Sequence, residues 1–242
     1  MASEIKDLMV QDAGAGLEHM DAQDFSAPFL MICQGQSPQV QEGNPLYIPE
    51  ARPGLIMNVQ SNHVFKEVTV LPIRYVFKNV EWKPRESGGG FVASYSRGEE
   101  PGDIQIEQLT GRLYRKSNGN NIVQTGYHLV MVKEEGWEKV IINMYSTQLK
   151  KARRWNSIMA GYRIEGTDKP APMFSHFFKL STARETNSKG TWYGWVIEPA
   201  GVIEDVALYN QAKYAYEHNA NFLPERIALQ IGQENGNEKT PF

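Results

Sequence analysis

The sequence predicts a mainly-β fold, a closed or partly closed barrel of short antiparallel strands with one amphipathic basic helix inserted and a second helix near the C-terminus. Three observations carry this. Short runs rich in Val, Ile, Tyr and Phe recur from 29–34 to 191–197, broken by turn signals such as 117–120 and 134–136. Helical spacing is confined to two stretches, 144–159 and 204–217. The strands are not interleaved with helices, so a βαβ array is excluded.

Composition bounds the rest. With 242 residues, 41% of them hydrophobic and 22% charged, the chain can bury the core of one large domain. Residues 1–26 are rich in Ala, Gly, Asp and Glu and read as a polar arm, 27–222 as the domain, and 223–242 as a mobile polar tail. Glu18, Asp21 and Asp24 in the arm are spaced like a solvated face, not a metal site. A net charge of −3 excludes coating of nucleic acid by bulk attraction, so any such binding must come from a local basic patch. One cysteine, Cys33, gives neither a disulfide framework nor a zinc pattern and fits a reducing cytoplasmic compartment. The N-terminus carries acids where a signal peptide needs positive charge, and no apolar run approaches the roughly 18 residues of a membrane helix.

Taken in order, strands are expected at 29–34, 55–59 and 68–82, where Pro72 marks a bulge or an edge and Arg74 and Lys78 make one face partly wet. Gly88, Gly89 and Gly90 then form a flexible hairpin loop or a place of close backbone approach. They fit neither a P-loop nor a dinucleotide fingerprint, which removes support for a nucleotide cofactor. A meander follows through 112–115, 122–124, 127–132 and 137–144. Beyond the basic helix come 162–164 and a hairpin of 174–183 and 191–197 across a loop at 185–190, and then a helix with Leu208, Ala212 and Ala215 in register.

Four basic residues fall within five positions in the basic helix. At about 100° per residue, Lys150, Lys151, Arg153 and Arg154 lie on one side, and Leu149, Ala152, Trp155 and Met159 on the other. Ser146 or Thr147 is placed to cap the first turn, and Gly161 stands where a helix stops. No acid lies between Glu138 and Glu165, so the ridge lacks local carboxylate partners and is a candidate seat for phosphates.

Segments 28–38, 80–91 and 146–156, in that order and spacing, resemble a family of tailed-bacteriophage proteins of similar length. The motifs are Trp82-x-Pro84-Arg85 with the three glycines, and Gln148-Leu-Lys-Lys-x-Arg-Arg-Trp-Asn156. That resemblance implies an OB-type barrel that binds single-stranded DNA in the host cytoplasm during phage replication or recombination. The chain ends in Pro241-Phe242, similar to the aromatic-tipped tails with which single-strand-binding proteins meet replication partners, although its tail is less acidic than theirs.

Such a binder needs cations that track phosphates and rings on which bases stack, each stacked base contributing roughly 1–3 kcal/mol. The candidate cations are Arg74, Lys78, Lys83, Arg85, Arg112, Arg115, Lys116, Lys150, Lys151, Arg153 and Arg154. The candidate rings are Tyr75, Phe77, Trp82, Phe91, Tyr95, Tyr114, Trp192 and Tyr193. Tyr95, Tyr114 and Tyr193 are favoured because they lie near polar neighbours at strand ends, while Phe77 and Trp155 fit buried positions better. No cofactor or metal is expected, because the five histidines lack ligand spacing and no nucleophile elbow occurs. A non-enzymatic binder is therefore the expectation. A virion or adaptor protein is the alternative, and a metal-dependent nuclease using Asp103 and Glu107 a further one.

Overall fold

In chain order the elements are α1 (Ala2–Gln11), β1 (Leu30–Ile32), β2 (Ile56–Asn58), β3 (Val64–Phe65), β4 (Val68–Trp82), β5 (Phe91–Tyr95), β6 (Ile104–Ile106) and β7 (Leu113–Arg115). They continue with β8 (Asn121–Val132), β9 (Glu138–Tyr145), α2 (Leu149–Gly161), β10 (His176–Asn187), β11 (Gly190–Val202) and α3 (Val206–His218). This is a computed structural model that describes residues 2–19, 28–188 and 190–222. The expected partner-binding tip, Pro241 and Phe242, and the set-aside Asp21 and Asp24 lie outside them.

Strand at 39% outweighs helix at 23%, and the main sheet is a curled antiparallel half-barrel consistent with an OB-like barrel. β4 and β8 form its spine, paired from Val70↔Val132 to Trp82↔Asn121. One end of the sheet runs β11-β10-β4-β8-β9, and the other runs β5-β4-β8-β7-β6. A small sheet, β1-β2-β3, spans the gap between the rims. Phe29 bridges Ile141 of β9 on one side. On the other, Gln34 lies along the outer edge of β11, accepting from the Tyr193 N–H at 2.8 Å and donating to its carbonyl at 2.9 Å. The Trp195 N–H on the same edge is taken by the Gln148 side-chain oxygen at 3.0 Å. Two glutamine amides thus occupy the edge that a further strand would otherwise need.

The expected irregularity at Pro72 is a register shift between Pro72 and Arg74. Pro has no N–H for the ladder, and the extra residue exchanges the two faces of the strand. Val68 and Val70 therefore share a core with Phe77, while Leu71 and Ile73 share the opposite core with Val76 and Val80. Strict alternation along 68–82 would place Leu71, Ile73, Tyr75 and Phe77 on one face; the bulge moves Phe77 to the face opposite Leu71 and Ile73.

Two apolar layers result. The stripe Leu149, Ala152, Trp155 and Met159 of α2 is buried against Val130, Val140, Ile142, Phe178, Leu180 and Trp195, as the spacing predicts. On the other face, Leu208, Ala212 and Ala215 of α3 cover Leu71, Ile73, Leu129 and Met131. Asp205 caps α3 by accepting from the backbone of Ala207 at 2.7 Å and Leu208 at 3.1 Å. Three expectations are revised. The polar arm, outside the two stretches of helical spacing, contains a further helix, α1, whose Ile5, Leu8 and Met9 are exposed. The strand segments 122–124 and 127–132 are one strand, β8. The loop expected at 185–190 is strand up to Asn187, and this lengthened hairpin supplies one wall of the site described next.

Candidate nucleic-acid interface

β9 delivers the chain to α2 through a single 3-10 turn at Ser146–Gln148, where Ser146 takes a φ of 51°. Neither Ser146 nor Thr147 caps the helix; Gln148 holds the N-cap position without a side-chain cap bond, because its amide is turned to the β11 edge. With Trp155 fully buried and tied into the core, the outer surface of α2 is fixed in rotation. Lys150, Arg153 and Arg154 are exposed and make no ion pair among the described residues.

Lys151 behaves differently from its neighbours. It sits on the flank of the helix, half-buried, where its ammonium pairs with Glu185 of β10. The ridge thus lacks local carboxylates, as expected, but tertiary structure supplies one from 34 residues away. The other oxygen of Glu185 accepts the Trp192 indole N–H at 3.0 Å, and Glu185 stands opposite Trp192 in the hairpin register. Close approach makes this arrangement depend on Gly194: a Cβ there would lie 2.5 Å from Glu185 Oε1 and 2.8 Å from Gln148 Nε2.

Together Thr147, Lys150, Lys151, Arg154, Glu185, Asn187 and Trp192 line an open cleft of about 420 Å³ between α2 and the hairpin. Three cations against one carboxylate leave it with a net charge of +2. The opposite flank of α2 carries Asn156, whose Oδ1 lies 2.9 Å from His128 Nε2.

The remaining expected residues do not extend this surface. Arg74 belongs to the α3 side, where its guanidinium donates to the Tyr216 carbonyl at 2.8 Å and lies 4.0 Å from the Tyr216 ring centroid. Lys78 is half-buried and donates to Ser96 Oγ at 3.1 Å. Arg85 is exposed in the turn before the glycines, whose φ values of 93°, 64° and 107° explain their type, and Arg112 is exposed before β7. Tyr114 is half-buried with its hydroxyl 3.1 Å from Gln105 Oε1. Tyr193 is partly buried in the α2-side core with its ring packed on Gly54, so it is a filler and not an open platform.

Arg115 and Tyr95 serve a different centre. Glu81 is 1% exposed and accepts from Tyr95 Oη at 2.6 Å, Asn120 at 2.6 Å, Arg115 at 2.9 Å and Asn118 at 3.0 Å. Burial alone raises its pKa, but the four donors outweigh that and hold it below the usual carboxylate range. Burial and the Glu81 carboxylate push the Tyr95 hydroxyl up. Arg115 also pairs with Asp103 at 2.5 Å. Bonds from Ser117, ahead of those from Arg115, bring Asp103 down to about 2. Arg115 is therefore neutralised within the fold, and Asp103, a candidate nuclease ligand, is an ion-pair partner. Glu107, the other candidate, accepts from the Thr110 hydroxyl.

Glu185 and Asn187 carry no local signal in the sequence, because only the length of the hairpin brings them to α2, and Thr147 reads there only as a helix cap. Trp192 was one ring among eight candidates.

Residues 3–221 match the sequence model of the Pam3 phage gp34-like protein. The chain belongs to that phage family. Comparison with curated proteins and with solved structures gave no match.

In this phage protein the floor beneath α2 is aromatic. The His128 ring is stacked on Trp155, with centroids 4.4 Å apart, and meets the tilted Tyr75 ring on its other side at 4.7 Å. Full burial depresses the His128 pKa to about 4, against a smaller opposing effect of the Asn156 bond. Its Nδ1 and the Trp155 indole N–H have no hydrogen-bond partner among the described residues. Among the described residues no group of three or more His, Cys, Asp or Glu side chains is arranged to hold a metal ion, and no helix is long and apolar enough to cross a membrane.

Proposed function

We propose that this phage protein binds single-stranded DNA without sequence preference, in replication or recombination, through the cleft between α2 and the β10–β11 hairpin. The observation that supports the reading is the pair Lys150 and Arg154, exposed cations one helical turn apart that share the cleft with the Trp192 ring. Cations unneutralised by the fold release counterions when phosphates replace them, and a groove on one helix suits one strand better than the two rails of a duplex. No catalytic step is assigned. Binding through the C-terminal Pro241 and Phe242 to replication proteins is part of the proposal and is tested by deleting the last residues.

Titration of the purified chain with oligo(dT) and with duplex, at two salt concentrations, tests the reading. Affinity for oligo(dT) is expected to exceed that for duplex and to fall with salt at a log–log slope of about −0.7 per phosphate contacted. A flat salt response, or equal affinity for duplex, overturns it. The exposed apolar face of α1, with Leu8 at 57% and Met9 at 68%, favours a second reading as a virion or adaptor protein, in which that face meets another protein.

A further inference from the structure

We infer that Trp192 is a base-stacking platform, so that the cleft reads unpaired bases as well as phosphates; this rests on the single-strand reading and deepens it. Three of the five tryptophans are accounted for differently: Trp155 and Trp195 are buried in the α2-side core, and Trp137 packs on Phe177. Trp192 belongs to none of the core clusters and lies partly buried in the cleft wall.

Its setting is that of a held ring. The indole N–H is bound to Glu185 Oε2 at 3.0 Å, and Glu185 is in turn anchored through its other oxygen to Lys151. The polar edge of the indole is thus satisfied within the protein, and what remains for a ligand is the π-face. The ion pair has a second effect. It cancels the one carboxylate among the described residues of the cleft lining, so that the cations Lys150 and Arg154 meet phosphates without an opposing charge from those residues. A ring beside two cations matches the two halves of an unpaired nucleotide, base and phosphate. In a duplex the base faces are already stacked and the ring has no access to them. Glu185 is then a positioning residue that acts through Trp192.

The test compares two labelled strands of equal length, oligo(dT) and a backbone-only strand of abasic nucleotides, by fluorescence anisotropy. The parent is expected to bind oligo(dT) about 5- to 150-fold more tightly than the abasic strand, the range given by one stacked base. Trp192→Leu is expected to abolish that preference while leaving abasic affinity and the salt slope unchanged. Trp192→Phe, which keeps a ring but loses the bond to Glu185, is expected to retain part of it, and it controls for misfolding of the Leu variant. Equal binding of the two strands by the parent, or equal weakening of both by Trp192→Leu, overturns the platform while leaving phosphate binding intact. Failure of the parent to bind either strand overturns the single-strand reading itself and the platform with it.

Discussion

His128 makes a quantitative demand on the pH dependence of folding. Its pKa is about 4 in the folded protein against 6.5 when unperturbed, because the ring is fully buried between Tyr75 and Trp155. Between those values the unfolded chain binds a proton that the folded chain refuses, so stability must fall as pH drops through this window. At about 1.4 kcal/mol per pH unit, His128 alone removes about 2 kcal/mol by pH 5 and about 3 by pH 4. For a chain of this size the loss at pH 5 lowers Tm by roughly 4–8 °C. Thermal unfolding followed by circular dichroism at pH 7.5, 6 and 5 measures it. His176 is depressed in the same direction by burial, so the decisive comparison is with His128→Gln, which does not titrate and can still donate to Asn156. That variant should be less stable at neutral pH, having lost two ring contacts, yet lose clearly less Tm on acidification. A parent profile flat between pH 7 and 5, or a variant as steep as the parent, would refute the reasoning.

Reversing the ridge with Lys150→Glu and Arg154→Glu should leave Tm nearly unchanged, within the ±0.5 kcal/mol or so typical of surface sites. Affinity for oligo(dT) should fall by at least about 25-fold near 0.1 M salt, since each lost phosphate contact is worth about fivefold there. Trp155→Ala should cost about 3–5 kcal/mol in urea unfolding, because the residue is fully buried; stability retained with binding lost would instead make the ring a ligand contact. Gly194→Ala should displace Glu185 or Gln148, costing about 1–3 kcal/mol and reducing the oligo(dT) preference over an abasic strand even though residue 194 touches no ligand. Glu81→Gln should remove part of the acid transition below about pH 4.5, since a carboxylate held below its ordinary pKa stabilises the fold above that range and loses its effect as pH falls.

Most of the strand order could be read from periodicity, and so could both packed helices. The apolar seam of α2 is an example: Leu149, Ala152, Trp155 and Met159 are all buried. The segments 122–124 and 127–132 leave a gap at Thr125 and Gly126, but β8 runs through it, and Gly126 leaves room for the Tyr75 ring, which would lie 3.0 Å from an added Cβ. Which cations remain available could not be read locally. Lys151 and Arg115 look like their neighbours in sequence, but partners at separations of 34 residues each, Glu185 and Glu81, neutralise them. Two of the three favoured rings are engaged in the same way, Tyr95 by Glu81 and Tyr193 by Gly54, through contacts distant in sequence.

The glutamine contacts along β11 bear on how freely the chain between β1 and β2 can vary. A strand closing this rim would have to keep step with β11 residue by residue, and an insertion or deletion of one residue would turn its side chains to the wrong face. Gln34 instead grips a single residue, Tyr193, through both of its amide atoms, and Gln148 reaches Trp195 from a different part of the chain. The rim is fastened at points, not along a ladder. Residues 35–54, which run from one fastening to the next strand, can therefore change in length without shifting the pairing of any strand in the main sheet.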